Sequence, residues 1–370
     1  MSRPGGRATS RLAAQRRLSE QEEEAIGSSS DDGASLASEV ERETGLKNGA
    51  PHALSVGVTF LQVLALIGQT ELSWPASVKQ TYEVIGSLVA VNLNLVAGEC
   101  ALTSFYIKYL FALSLPLLFV ITSLLAILLV KALIALRVQA GSPLRMVTVG
   151  LILERVLLVV FPLIYLPVAL TSLQLFDCTA SVDGKYYLDV DPSIACFDSA
   201  WWLALPCSLA SCALFVVGFP TYTLLAVYTR RRRLREAHVV VRFGLLYYLF
   251  RDALPFFFTI QLLFRLAVVA VILFFSSIQV WLLTGCIALF GGYCGVLLRH
   301  TPFRAPLYNR LELRLNLSSA AIIIAGMAFW ADDWPNDTSH TVFTLLTLAV
   351  IAFALSQLIW VGGREVLRMP

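Results

Sequence analysis

The chain has 370 residues, of which 57% are hydrophobic and only 14% are charged, and its mean hydropathy is +0.73. Soluble domains carry about 25% charged residues, so this composition excludes a water-soluble globular protein. The first 50 residues hold 16 of the 53 charged residues, and residues 51–370 are therefore more apolar still. Repeated apolar runs of the length that spans a bilayer predict a polytopic membrane protein.

Residues 1–50 are polar and of low complexity. Scattered arginines come first, and an acidic, serine-rich stretch follows (SEQEEEAIGSSSDDGASLASEVERE). Such a composition cannot bury an apolar core, so we predict a disordered tail over 1–50 and a transmembrane helical domain over 51–370.

The apolar segments after residue 50 predict an all-α fold, a polytopic bundle of eight or nine transmembrane helices. A short span at 52–69 comes first, and 77–96 is weaker because it carries two charged residues and two asparagines. If 77–96 lies in the membrane interface, the chain has eight spans and a cytoplasmic N-terminus; if it crosses, there are nine. The polar composition of 77–96 favours eight. The strongly apolar spans follow at 105–131, 148–172, 200–228, 256–276, 279–298, 313–330 and 341–361.

Basic residues between the spans orient the chain. They are concentrated in the connections 131–145, 229–251 and 299–312 and in the C-terminal segment, whereas 331–340 contains no lysine or arginine. Cytoplasmic connections are enriched in lysine and arginine, so the C-terminus is predicted to be cytoplasmic. This distribution predicts an integral protein of the plasma membrane or an endomembrane.

The densest basic run lies in the connection 229–251. Nucleic-acid binding requires a basic face on a soluble domain, and this run is flanked by apolar spans, so we predict no nucleic-acid partner. The partner predicted for these side chains is the bilayer, with anionic lipid headgroups at the cytoplasmic face. The headgroup contacts are assigned to Arg230, Arg231, Arg232, Arg233 and Arg235.

The predicted outer connections carry two candidate modification sites. Cys178 and Cys196 bracket the loop at 178–196, and an oxidising compartment favours a disulfide between them. Cys100 is a competing partner, and two free thiols are the alternative. Asn336 begins an Asn–Asp–Thr glycosylation sequon.

Ionisable and amide side chains inside the spans are candidates for a permeation or gating role, because each costs free energy at membrane depth unless it is paired. Structural pairing, for example of Glu154 with Arg265, is the alternative. The sequence has no Walker loop, HExxH or GxSxG motif and no zinc-type cluster, so we predict no enzyme, catalytic residue, metal or cofactor. The candidates are Glu154, Arg155, Gln261, Arg265 and Glu312.

Three stretches together resemble a known family: LQVLALIGQTELSWP with NLNLVAGEC, LFDCTASVDGKYYLDVDPSIAC with RFGLLYYLFRDALPFFFTIQLLFR, and TPFRAPLYNRLELRLNL. They are similar to the membrane region of transient-receptor-potential-like, polycystin-like proteins of protists and fungi. The resemblance implies a multi-pass protein grouped with cation channels. It maps the family's external cysteines onto Cys178 and Cys196, and its Asn–x–Leu–Glu motif onto Asn309, Leu311 and Glu312.

The leading function predicted from these observations is a channel-like or transport-related protein that passes cations. Permeation would run between helices of the bundle or of a homo-oligomer, with Glu312, Asn309 and Gln261 among the polar lining. The alternative is a non-conducting membrane receptor or scaffold. It would use the outer disulfide loop and the basic cytoplasmic loop to bind its partners.

Overall fold

The structure, a computed structural model, describes residues 50–70, 72–88, 105–137, 143–181, 184–331 and 337–366. The tail predicted over 1–50 lies outside these residues except for its last one. The described residues form a helical bundle with one small sheet. Its helices are α1 (Ala50–Gly68), α2 (Ala76–Leu88), α3 (Phe105–Arg137), α4 (Pro143–Gln174), α5 (Ser199–Ser211), α6 (Gly218–Tyr228), α7 (Ala237–Tyr247), α8 (Phe257–Phe274), α9 (Gln279–His300), α10 (Pro306–Ala331) and α11 (Asp337–Val366).

Seven helices among the described residues are long and apolar enough to cross a membrane. They coincide with the seven strongly apolar segments of the sequence and confirm a multi-pass, all-α integral membrane protein. α5 and α6 form one of the seven, joined by the π-helical segment Cys212–Val217. The apolar part of α1, Ser55–Gly68, is about 21 Å long at 1.5 Å per residue, less than the ~30 Å hydrocarbon core.

The helices differ in how much of their surface the bundle covers. In the apolar window of α8, 50% of the residues are buried, against 17% in α11. The main core is formed by α1, α2, α4 and α8–α11. α8 is therefore a central helix, and polar side chains along it are enclosed by protein, whereas α11 leaves most of its surface to lipid.

The weak segment at 77–96 folds back against α1. α2 covers its first part and buries Val78, Tyr82 and Ile85, which recur at helical spacing on one face. Tyr82 packs on Gly68 and Gly86 lies beside Ala65, so the two helices run antiparallel. The thirteen residues of α2 rise about 20 Å, too little to cross the hydrocarbon core. Residues 89–96 lie outside the described part, so the alternatives of eight and nine spans both stay open.

Gly68 allows the close contact between α1 and α2. A Cβ atom at this position would overlap Cβ and Cγ of Tyr82 and lie 2.6 Å from Cδ2. Cβ of Tyr82 is fixed to the backbone, so relief requires α2 to move. We expect Gly68→Ala to lower the free energy of unfolding by about 1–3 kcal/mol, the usual cost of overpacking a core.

Gly86→Ala is the matched control, because its Cβ would lie 3.8 Å from Cβ of Ala65, an ordinary contact. Both variants are compared with the wild type by unfolding in mixed micelles. Equal stability of the two variants would contradict this packing.

The connection between α4 and α5, which the sequence predicts to lie on the outer side, is a three-stranded antiparallel sheet of order β1-β2-β3, called the outer sheet below. Its strands are β1 (Cys178–Ala180), β2 (Tyr186–Leu188) and β3 (Asp191–Ala195). The sheet packs on the ends of α4 and α5, where Leu175, Leu188 and Trp201 form a small buried cluster. Trp201 Nε1 donates to the carbonyl of Leu175 at 3.0 Å, which joins the two helix ends.

The two connections that precede α8 and α10 are bound to each other. Asp252 accepts from Arg304 at 2.6 Å and from Arg235 at 3.3 Å. Phe250 and Phe303 form an isolated bridge and pack ring to ring, with centroids 5.1 Å apart. These contacts fix the ends of α8 and α10 relative to each other, and α8 and α10 carry the polar residues described next.

Candidate functional site

A cluster of buried polar side chains lies between α8, α9 and α10. Gln261 Nε2 donates to Oε1 of Glu312 at 2.9 Å, and the hydroxyl of Tyr293 donates to the same oxygen at 2.8 Å. Gln261 and Arg265 are four residues apart and therefore share one face of α8. We call Gln261, Arg265, Tyr293 and Glu312 the polar cluster.

Glu312 has an oxygen without a partner. Its side chain is 8% exposed, and Oε2 is buried with no hydrogen-bond partner among the described residues. A buried carboxylate oxygen that is left unpaired costs free energy and therefore calls for a physical explanation.

A cavity of about 40 Å³ adjoins the polar cluster. A water molecule requires about 10–15 Å³ on this measure, so the cavity has room for a small cation or a few waters. Its wall includes oxygen-bearing side chains from three helices, Thr59 on α1 and Glu312, Asn316 and Ser319 on α10, together with Tyr293 on α9. The cavity thus combines a carboxylate with hydroxyl and amide oxygens.

Arg265 balances the charge of Glu312. It is 5% exposed, borders the same cavity, and interacts electrostatically with Glu312. Its Nη1 donates to the carbonyl of Pro162 on α4 at 3.1 Å. The polar cluster therefore combines one basic and one acidic side chain, and an opposite charge nearby lowers the cost of burying each at membrane depth.

Prolines in α4 and α6 leave backbone carbonyls without their helical donors, and side chains of neighbouring helices bind these carbonyls. Pro167 has no N–H, so it leaves the carbonyl of Leu163, four residues earlier, without its helical donor. Gln62 of α1 donates to that carbonyl at 2.7 Å. Pro220 acts in the same way on Val216, whose carbonyl accepts from Tyr165 at 2.9 Å. Side chains from neighbouring helices thus bind the carbonyls that these prolines leave free.

The structure places Asn309 outside the polar cluster. Asn309 exchanges hydrogen bonds with the backbone of Phe303, at 3.1 Å to the N–H and 2.8 Å to the carbonyl, and so fixes Phe303 against Phe250. α4 includes Glu154 and Arg155, but their side chains lie outside what the structure describes, as does Asn336. The predicted pairing of Glu154 with Arg265 is therefore untested.

Two members of the site, Tyr293 and the carbonyl of Pro162, were not predicted from the sequence. Tyr293 lies in an apolar span and resembles an ordinary core aromatic in the sequence; nothing local marks its hydroxyl as a donor to Glu312. The Pro162 carbonyl belongs to the backbone. The proline pair in α4 was a usable signal for the Leu163 carbonyl, which Pro167 leaves without its helical donor and Gln62 binds, but not for the Pro162 carbonyl.

The arginine run divides into fixed and exposed members. The guanidinium of Arg230 lies over the ring of Phe243, 4.3 Å from its centroid, and donates to the carbonyl of Ala226. Arg235 is bound to Asp252. Arg231 and Arg232 are exposed, with the guanidinium of Arg231 over the ring of Tyr228, 4.7 Å from its centroid, and Arg233 pairs with Glu236 at 3.7 Å. The residue with most freedom to reach a headgroup is therefore Arg232.

The outer sheet carries the predicted disulfide. Cys178 and Cys196 are joined, with their Cα atoms 6.4 Å apart. Asp177 precedes β1, and burial together with the nearby negative charge of Asp189 raises its pKa to about 6. Asp189 also accepts from Ser276 in the turn between α8 and α9 at 2.8 Å. The sheet is thus connected to the outer end of the central helix.

Within the described residues, no group of three or more histidine, cysteine, aspartate or glutamate side chains is arranged to hold a metal ion. The features that distinguish this chain are the polar cluster with its cavity and the disulfide-closed outer sheet. Comparison with protein-family models, curated proteins and solved structures yields no match to this chain.

Proposed function

We propose that this multi-pass membrane protein passes cations, and that the polar cluster is the point at which a cation is held during passage. The observation that carries the proposal is the unpaired Oε2 of Glu312 beside a cavity with room for a small cation. The family resemblance, which groups similar membrane regions with cation channels, supports the same function.

The chemistry of the cavity suits transient binding. Carboxylate, amide and hydroxyl oxygens are ligands for hard cations. Arg265 offsets the charge of Glu312, so a cation is held more weakly than beside an uncompensated carboxylate. Conduction requires binding that permits entry and also permits release. The polar cluster therefore serves as a low-affinity step between α1, α8, α9 and α10, with Gln261 orienting the carboxylate.

Cation flux into liposomes that contain the purified chain tests this function. We expect the wild type to pass monovalent cations, and the double variant Arg265→Gln/Glu312→Gln, which keeps the cluster neutral, to lose most of the flux. Glu83→Gln is the control, because it removes an exposed carboxylate on α2 away from the cluster. Flux that is equal in the wild type and the double variant would refute the role of Glu312.

The receptor or scaffold alternative is favoured by the outer sheet. Tyr186, Phe197 and Trp202 are 49%, 54% and 58% exposed at its rim, and exposed aromatics of this kind are common at interfaces. Absence of flux from folded, correctly inserted protein would favour this function. Binding of an extracellular partner that is lost in a Phe197→Ser variant would then support it.

A further inference from the structure

A cleft lies between α10 and α11, at the ends of these helices that adjoin the basic connection 299–312 and the C-terminal segment. Its volume is about 70 Å³. Its floor is apolar, with Leu311 and Val361 almost fully buried. Its rim carries Arg310, Arg314 and Trp360, and among the side chains that the structure describes, its lining includes no aspartate or glutamate.

Two arginines line this cleft, and a third lies on one of its lining residues. Arg310 and Arg314 are one turn apart on the exposed side of α10, whereas Glu312 between them points into the bundle. Arg314 donates to Oε1 of Gln357 on α11, which holds its guanidinium across the cleft. The guanidinium of Arg364 lies over the ring of Trp360, 5.1 Å from its centroid. The positive charges therefore converge from two helices.

The cleft lies at the depth of lipid headgroups. A hydrocarbon core of about 30 Å spans roughly 20 helical residues. Along α10, Arg310 is 20 residues from Trp330 at the opposite end of the helix. Along α11, Trp360 and Val361 are about 20 residues from position 341, near the start of the helix. Tryptophan is enriched at the membrane interface. The arginines thus lie where the phosphates of one leaflet lie.

We propose that this cleft binds the phosphate group of an anionic phospholipid. Arginine guanidinium groups match phosphate in geometry and charge, and the small volume admits a single phosphate group. The occupant is a lipid and not free phosphate because the cleft opens onto apolar surface. Leu317, three residues after Arg314 on α10, and Phe353, four residues before Gln357 on α11, are 52% and 49% exposed and give the acyl chains a surface to lie on. This inference is independent of cation passage.

Native mass spectrometry of the full chain in detergent micelles tests the site. Phosphatidylglycerol, phosphatidylcholine and inorganic phosphate are added separately, and bound molecules are counted. We expect the wild type to retain one phosphatidylglycerol in preference to phosphatidylcholine. The variant Arg310→Gln/Arg314→Gln should bind this lipid about 30-fold more weakly, since each arginine near the surface strengthens binding by a factor of about five.

Arg251→Gln/Arg299→Gln is the matched control, because it removes two exposed arginines from the neighbouring basic connections and leaves the cleft intact. The single variant Arg310→Gln keeps the bond of Arg314 to Gln357 and should still weaken binding if the double variant unfolds. Equal losses of phosphatidylglycerol binding in the cleft and control variants would overturn the proposal. Displacement of the lipid by inorganic phosphate would also overturn it, as would a dimer of the chain detected in place of the lipid complex.

Discussion

Replacing Glu312 by glutamine is expected to destabilise the protein by about 3–5 kcal/mol, and replacing Arg265 by glutamine should have a similar effect. Each substitution leaves the other charge buried without its compensating partner, since Arg265 is 5% and Glu312 8% exposed. Hydrogen bonding alone does not predict this cost. A glutamine at position 312 retains an oxygen that accepts from Gln261 and Tyr293.

The double variant Arg265→Gln/Glu312→Gln separates the cost of an uncompensated charge from the other effects of each substitution. Because it removes both charges, it should recover much of the stability that each single variant loses. In a double-mutant cycle the coupling between the two positions should exceed about 1 kcal/mol, since they share one cavity. Additive losses in the cycle would contradict electrostatic coupling through the cavity.

The measurement is the unfolding of purified protein in mixed micelles of increasing sodium dodecyl sulfate content. The matched control is Arg314→Gln, which removes an exposed arginine on α10 that lies outside the cluster. Salt bridges and hydrogen bonds at exposed positions contribute little, so we expect a loss below about 1 kcal/mol for the control. A stable Glu312→Gln variant would show that the carboxyl group is already uncharged in the folded protein.

Removing the disulfide by Cys178→Ser/Cys196→Ser is expected to destabilise the outer sheet by about 3 kcal/mol, the value from loop entropy for a closed loop of this size. The two cysteines are 18 residues apart in the sequence and join the beginning of β1 to the end of β3. Their loss frees the strands and the ends of α4 and α5. The spans themselves should remain folded, because the main core does not include this sheet.

Hydrogen exchange over residues 175–201 measures this change locally. Amides of β1 and β2 should exchange about 100-fold faster in the double serine variant, which corresponds to about 3 kcal/mol. Cys207→Ser is the control, because Cys207 is a free, exposed cysteine in α5. Unchanged protection in the double serine variant would mean that the small cluster around Leu188 and Trp201 holds the sheet without the disulfide.

The sequence alone determined the positions of the seven long spans. A run of about twenty apolar residues has one stable arrangement in a bilayer, because a helix satisfies every backbone hydrogen bond within itself. It also identified the disulfide, since Cys178 and Cys196 bracket one short loop between two spans. The three-stranded sheet within that loop was not foreseen. Its strands are only three to five residues long and carry no clear alternation.

Only the tertiary structure decided which embedded polar groups meet. Gln261, Arg265 and Glu312 were candidates from the sequence, but Asn309 was assigned beside them and instead fixes Phe303. Tyr293 joined the polar cluster without any local signal. In a water-soluble helix, the apolar stripe marks the buried face. In a bilayer, lipid is as apolar as the protein core. The sequence of a span therefore does not show which side chains face the bundle, and packing between the helices determines their direction.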